Sequence, residues 1–342
     1  MARADLLKKL FHSYRSRDER AFAEAAEEII EEERRKHHPV VANELARILR
    51  NGAGNLSERQ VFEAFDPPPK DPDRKTTLLE IRQPDRYLDD LVLSAPVRKG
   101  VERVVAEFRE WEVLEANGLS PTNRLLLCGP PGCGKTATAE AIATELGLPL
   151  LYVRFDSVVS SLLGETAANL RKVFDYASRG QWVMFFDEFD AIGRSRDDGT
   201  EHGEIKRVVN SYLQIMDGFR GRSLVIAATN FEAVLDRALW RRFDEVLRLE
   251  RPTADQLKIL IRKRLKPLVH QASDIDAIAE KLGGATFADA EHVCLDLRKQ
   301  CAIAGQKKFA PKDLDEVLER FAYRQSILTK AQPDGTPKVD RE

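Results

Sequence analysis

The segment GPPGCGKT, Gly129 to Thr136, sits between a short apolar run, Leu125 to Leu127, and the helix-favouring stretch ATAEAIATELG. This pattern constrains the fold more than any other feature of the chain. It works only where a strand delivers the loop and a helix leaves it. Gly129, Gly132 and Gly134 let the backbone turn its N–H groups inward around phosphate oxygens, and the helix start adds the positive end of a dipole. Lys135 would then reach the outer phosphates and Thr136 would ligate Mg²⁺, with Pro130, Pro131, Cys133 and Ala137 completing the loop; a chance match to the pattern is the alternative.

A second apolar run, VMFFDEFD from Val183 to Asp190, ends in adjacent acids. Asp187 at the strand's end can hold the metal through its shell, and Glu188 can polarise an attacking water. The bland alternative is a buried strand running into an acidic turn. The strand SLVIAATN delivers Asn230 to the carboxyl edge of the expected sheet, where ligands of α/β proteins sit. Asn230 can orient the water there, although asparagine after a strand is also an ordinary turn residue.

With 342 residues the chain has room for two or three compact units. Leu6, Leu7, Leu10, Phe11 and Tyr14, then Phe22, Ala26, Ile29 and Ile30, then Val41, Leu45, Ile48 and Leu49 recur at helical spacing. They predict a helical bundle over 1–50. NGAGNLSE and FDPPPKDPDRKT follow, and their prolines and glycines break regular structure, which predicts a linker over 51–75. Between 76 and 250, β-rich runs alternate with helical stretches: Leu125 to Leu127, Leu150 to Val153, Val183 to Phe186, Leu224 to Ala227 and Val246 to Leu249. The expected fold class is α/β, a P-loop parallel sheet with helices on both faces. Residues 251–328 predict a small all-α domain, opening at Thr253 and Gln256 in capping-box positions and continuing through Ala288 to Ala304 and Lys312 to Tyr323. The end, 329–342, reads as a loose tail.

Lysine plus arginine (54) nearly balances aspartate plus glutamate (56), so no global field draws nucleic acid or anionic lipid. The run EEIIEEERRK, Glu27 to Lys36, reads as a solvated helix face. Cys128, Cys133, Cys294 and Cys301 form no metal-type pair, which suits a reducing, cytoplasmic compartment. No apolar run reaches the roughly 20 residues of a membrane span. The basic, amphipathic start resembles an import presequence, but Asp5 and the acidic helix behind it oppose that reading.

From about Asp89 to Tyr323 these motifs together resemble the AAA+ superfamily, and within it the branch of protein-remodelling ATPases that includes spastin and katanin. The resemblance implies ATP with Mg²⁺, hydrolysis, and assembly of identical subunits into a ring, usually a hexamer. DRALWRRFDE, Asp236 to Glu245, resembles the region where two arginines of one subunit reach the γ-phosphate held by the next; here these are Arg241 and Arg242. Relatives separate the two with Pro-Gly, whereas here they are adjacent, and either can be the finger. Without the resemblance they read as a solvated basic pair beside Asp236 or Asp244. IMDGF, Ile215 to Phe219, resembles a segment that passes nucleotide state between subunits. GATFADAEHVCLDL, Gly284 to Leu297, resembles a stretch packed near the adenine; Ala288 carries over, Phe287 replaces a usual glycine, and no second-sensor arginine appears there.

SLLGETAANLRKVF, Ser161 to Phe174, resembles the first pore loop, with Leu162 and Leu163 where relatives use an aromatic to grip a protein client. Leucine keeps apolar contact and loses the flat face; core packing is the alternative. GRSRDDGTEHGE, Gly193 to Glu204, reads as a second pore loop or a plain surface loop. The amino-terminal helices suit adaptor or client docking, and a protease partner is a further possibility raised by the resemblance. Cys133 invites a redox reading, against which stands a tolerated small residue. Competing classes are a nucleic-acid motor or loader, for which basic and aromatic residues are not interleaved as expected, and a nucleotide-switched binding module.

Overall fold

The computed structural model describes residues 4–16, 19–35, 66–71, 75–153, 158, 163–189, 211–230 and 240–331. Leu162, the second loop 193–204 and the third amino-terminal segment Val41 to Leu49 lie outside them. The chain divides into two compact units, Met1–Pro68 and Pro69–Glu342.

In the first unit, α1 (Ala4–Ser16) and α2 (Glu19–Arg35) are amphipathic. Ala25, Ile29 and Ile30 form the buried side of α2, while Phe11 of α1 is 70% exposed. The apolar stripe read from the sequence is therefore only partly covered within the described residues of this unit.

The second unit is built on a six-stranded sheet, order β1-β3-β4-β5-β2-β6. Its members are β1 (Leu79–Arg82), β2 (Arg124–Cys128), β3 (Leu150–Val153), β4 (Val183–Phe186), β5 (Leu224–Thr229) and β6 (Glu245–Arg248). All ladders are parallel except β1 against β3, in register Leu79↔Val153 to Arg82↔Leu150. The five parallel strands match the predicted runs: β2, β3, β4 and β5 lie inside the sheet and are largely apolar because both faces are covered, and β6, at the edge, keeps the apolar pair Val246 and Leu247. Strand β1 was not predicted, and the sheet is not purely parallel. It is an edge strand in which only Leu79 and Ile81 are buried, and four residues with a charge at every second position carry little sequence signal.

Helices cover both faces. Phe185 joins the core made by α3 (Ala95–Arg109) and α5 (Lys135–Leu146), together with Val101, Val104 and Ile142; α4 (Trp111–Ala116) follows α3 directly. Its neighbour Phe186 points the other way, stacking on Phe174 of α6 (Leu163–Ala177) at 5.7 Å and meeting Tyr212 of the helical stretch 211–218 at 5.4 Å. The period-two alternation of a strand makes this division.

Four helices follow: α7 (Ala254–Leu265), α8 (Ala272–Lys281), α9 (Phe287–Ile303) and α10 (Pro311–Ala331). They enclose a separate core that includes Leu260, Ile261, Ile278, Val293 and Leu297. The Thr253 box forms as read: Gln256 N–H donates to Thr253 Oγ1 at 3.3 Å, and Thr253 N–H donates to Gln256 Oε1 at 3.0 Å. Pro69 to Asp71, inside the stretch read as linker, folds back on residues 76–78: Asp71 N–H donates to Thr76 O at 2.9 Å and Leu78 N–H to Pro69 O at 2.9 Å. The Asp71 carboxylate is buried and accepts from Asn169 Nδ2 at 2.8 Å. Among the described residues no helix is long and apolar enough to cross a membrane.

Candidate functional site

Strand β2 ends at Cys128, the loop turns through Gly129 to Gly134, and α5 begins at Lys135. Two glycines here have no substitute. Gly129 has φ +138°, and a Cβ there would run into the Leu249 carbonyl; Gly132 has φ +75°, with its missing Cβ 2.7 Å from Thr286 Oγ1. Both positions combine left-handed backbone with close approach, the pairing of demands that only glycine meets. The Lys135 ammonium, 7% exposed, donates to the carbonyls of Gly129 and Pro130 at 2.7 and 2.9 Å. A buried cation is thereby fixed at the loop's inner side. Cys133 Sγ is buried beside it, and desolvation pushes its thiol above the ordinary range despite the nearby Lys135.

The acids face this loop. Asp187 Oδ2 accepts from Thr136 Oγ1 at 3.1 Å and from Tyr152 Oη at 3.2 Å, while Oδ1 accepts the Glu188 N–H at 2.9 Å. Burial, and then the charge of Asp187, push the Tyr152 phenol up to about 12, so it remains a donor at any ordinary pH. Glu188 has φ +52°, a left-handed conformation uncommon outside glycine, where backbone strain tends to accompany function. A hydroxyl and a carboxylate in contact are hard oxygen donors of the kind Mg²⁺ takes, and a glycine loop at a helix start, with the Lys135 ammonium at its inner side, suits phosphate. The residues present fit both groups.

Lys135, Thr136, Ala137, Asp187, Glu188, Asn230 and Ala288 line one cleft of about 330 Å³ at the carboxyl ends of the parallel strands, with Pro131 to Gly134. Asn230 arrives there because β5 lies between β4 and β2. Sequence reasoning missed Arg86, Leu260, Arg264 and Glu291 in the wall. Arg264 Nε donates to Glu291 Oε1 at 2.9 Å, and Arg86 pairs with Glu140 at 3.5 Å. The helical domain thus supplies an arginine, from α7 rather than from the α9 stretch where one was sought. Its only local signal was a cationic end to a capped helix. Phe287 lines the cleft beside Ala288, whose N–H donates to Gly132 O at 3.1 Å, tying α9 to the phosphate loop.

Arg241 and Arg242 do not join this cleft. They precede β6, whose partner β2 starts at Arg124 and reaches the loop only at its far end, about 16 Å on at strand rise. Arg242 pairs with Asp217 of the IMDGF segment at 3.0 Å, and Arg124 reaches the same carboxylate at 3.4 Å. Among the described residues Arg241 has no ion-pair partner. Asp244, one of the partners expected from the sequence, instead accepts the backbone N–H groups of Asn123 and Arg124 at 3.1 Å each. Asp236, the other, lies outside the described residues. Leu163 opens α6, and its side chain is not among those described.

Residues 125–251 match the family model described as "ATPase family associated with various cellular activities (AAA)". The chain is 40% identical over 333 residues to "Uncharacterized AAA family ATPase y4kL" of Sinorhizobium fredii, covering 97% of this chain and 99% of that protein. It is 34% identical over 239 residues to a proteasome-activating nucleotidase of Pyrococcus horikoshii, covering 64% of this chain and 60% of that one. An ATP-dependent zinc metalloprotease, FtsH 3 of Sphaerobacter thermophilus, is 31% identical over 265 residues; 75% of this chain matches it, but only 54% of the metalloprotease is spanned. The match to the family model runs from the strand that delivers the phosphate loop to the residue before α7's capping segment, and the y4kL match extends it to nearly the whole chain. This chain therefore belongs to the AAA family and is an ATP-hydrolysing enzyme.

Proposed function

We propose that this ATPase works as a homo-oligomeric ring, six-membered as in the family it resembles, that remodels, disassembles or unfolds client proteins. The observation that carries the reading is the separation of two half-sites. Lys135, Thr136, Asp187, Glu188 and Asn230 share one cleft, while Arg241 and Arg242 lie by the opposite end of the same strands. An arginine so placed is useless to its own cleft and available to a neighbour's.

In this reading the loop N–H groups and Lys135 hold the β- and γ-phosphates of ATP. Thr136 and Asp187 would hold Mg²⁺, which supplies neutralisation of charge on the phosphates. The Thr136 proton aimed at Asp187 leaves the hydroxyl's lone pairs for a cation. Glu188 takes the proton of the attacking water, and Asn230 orients that water. Leu260, Phe287 and Ala288 make the apolar wall for the adenine. Arg241 is the residue offered in trans, because Arg242 is held by Asp217; IMDGF then connects the arginine pair to the subunit's own sheet through Arg124.

We read the chain as a relative of spastin and katanin on IMDGF and DRALWRRFDE, with Leu162 and Leu163 gripping the client and α1 and α2 docking it or an adaptor. The names of the two proteolysis-linked relatives make a separate protease a candidate partner. A decisive experiment measures ATP turnover with an unfolded protein or with single-stranded DNA added. Stimulation by the protein supports remodelling; stimulation by DNA alone makes the chain a nucleic-acid motor. Client processing unaffected by Leu162→Ala would remove threading and leave a nucleotide-switched binder.

A further inference from the structure

The phenol of Tyr152 has no place in the reading above, yet it reaches the carboxylate at the centre of it. Tyr152 is the third residue of β3, beside β4, and its ring meets Phe185 at 5.7 Å. Its hydroxyl donates to Asp187 Oδ2, the oxygen that also accepts from Thr136. On its other side the Arg82 guanidinium lies 3.6 Å from the ring centroid, held in turn by Glu80 Oε2 at 2.8 Å. Tyr152 is only partly buried, so water could satisfy its hydroxyl. It turns to Asp187 instead.

A carboxylate facing a cation has a free torsion about its last bond, and each donor that binds one oxygen narrows it. Among the described residues Asp187 has three such donors: the backbone of Glu188 on Oδ1, and Thr136 and Tyr152 on Oδ2. Thr136 belongs to the phosphate loop and would be drawn to any metal there. Among the described residues Tyr152 is thus the side-chain donor to Asp187 that comes from outside the phosphate loop. Arg82 fixes the ring by cation–π stacking, and it sits on β1, which continues from the folded-back segment at Pro69 to Leu78.

We infer that Tyr152 is a positioning residue for the ATPase site: it holds Asp187 in the orientation that receives the metal of Mg·ATP, and Arg82 of the edge strand holds Tyr152. This rests on the cleft reading proposed above. It makes β1, the strand nearest the amino-terminal unit in sequence, a mechanical neighbour of the catalytic metal.

The test uses Tyr152→Phe, which keeps the ring, the Phe185 contact and the Arg82 stack and removes one hydrogen bond. Calorimetry would compare ATP affinity in Mg²⁺ with that in EDTA, and steady-state assays would give the Mg²⁺ concentration for half-maximal turnover. The expected result is an unchanged affinity for metal-free ATP, a Mg²⁺ midpoint raised about tenfold, and kcat reduced with little change in KM. Arg82→Ala is expected to shift the same midpoint by less, and the double variant to match Tyr152→Phe alone, since Arg82 acts through the ring. Wild-type Mg²⁺ dependence in Tyr152→Phe would overturn the inference. So would additive effects of the two substitutions, which would make Arg82 independent. Absence of Mg·ATP binding in the unmodified protein would instead defeat the cleft reading, a separate outcome.

Discussion

Replacing Gly132 by alanine is expected to weaken nucleotide binding through the contact between the phosphate loop and α9. An alanine at φ +75° costs about 1–2 kcal/mol of backbone strain. Its Cβ would stand 2.7 Å from Thr286 Oγ1, 3.1 Å from Thr286 Cβ and 3.3 Å from Ala288 Cβ, so α9 must retreat. Retreat stretches the Ala288 N–H bond to Gly132 O, worth about 1 kcal/mol. It also disturbs the α9 cap, in which Thr286 Oγ1 accepts the Asp289 N–H at 3.2 Å and Asp289 Oδ2 accepts the Thr286 N–H at 3.0 Å; half of that cap is about 0.5 kcal/mol. The backbone strain lowers stability with or without nucleotide; the weakened contact between the loop and α9, about 1.5 kcal/mol, is the part that falls on the cleft and equals a loss of about tenfold in ATP affinity. Calorimetric titration with Mg·ATP reads it directly. Gly118→Ala is the control: φ is +72° but nothing lies within 4 Å of the new Cβ, so only stability should fall, by about 1 kcal/mol, with ATP affinity intact. ATP binding by Gly132→Ala within threefold of the parent would refute the reasoning.

Arg241→Ala is expected to lower turnover by about 10³ with ATP affinity retained, while Arg242→Ala and Asp217→Asn should give smaller losses that resemble each other. Mixing Arg241→Ala subunits with Lys135→Ala subunits should restore part of the activity if the arginine acts across subunits; no recovery in assembled mixtures would contradict that. Burial raises the Cys133 thiol above its ordinary value, so less of it is thiolate at a given pH than of a free cysteine. Alkylation there should be slow and quicken as pH rises; labelling as fast as that of a free thiol at pH 8 would count against the packing described.

The sheet was largely legible because its central strands are buried on both faces, and such strands are apolar without interruption. The loop and the two acids were legible for a similar reason: each motif sits at one strand's end, so its chemistry is local in sequence. Strand β1 escaped because its four residues alternate apolar and charged and bury Leu79 and Ile81 alone, whereas β6 at the other edge keeps two adjacent apolar residues. Arg86, Leu260 and Arg264 escaped because they enter the cleft from elements distant in the chain, and a charged residue near a helix end looks like any solvated one. The ion pair of Arg242 could not be read either, since Asp217 meets it only after the sheet has formed; the sequence offered Asp236 and Asp244 as nearer partners. Tyr152 carries no motif at all. Its role follows from register, which places it beside Phe185 and one strand from Asp187.

The measurement that bears most directly on the central claim is ATP binding and turnover by Glu188→Gln. The amide keeps the size and polarity of the side chain but cannot take a proton. The account predicts an ATP affinity in Mg²⁺ within a few fold of the parent and turnover lower by about 10² to 10⁴. Hydrolysis within tenfold of the parent would show that Glu188 is not the base, and parallel loss of binding would show that the acids at the end of β4 serve some purpose other than the one assigned to them.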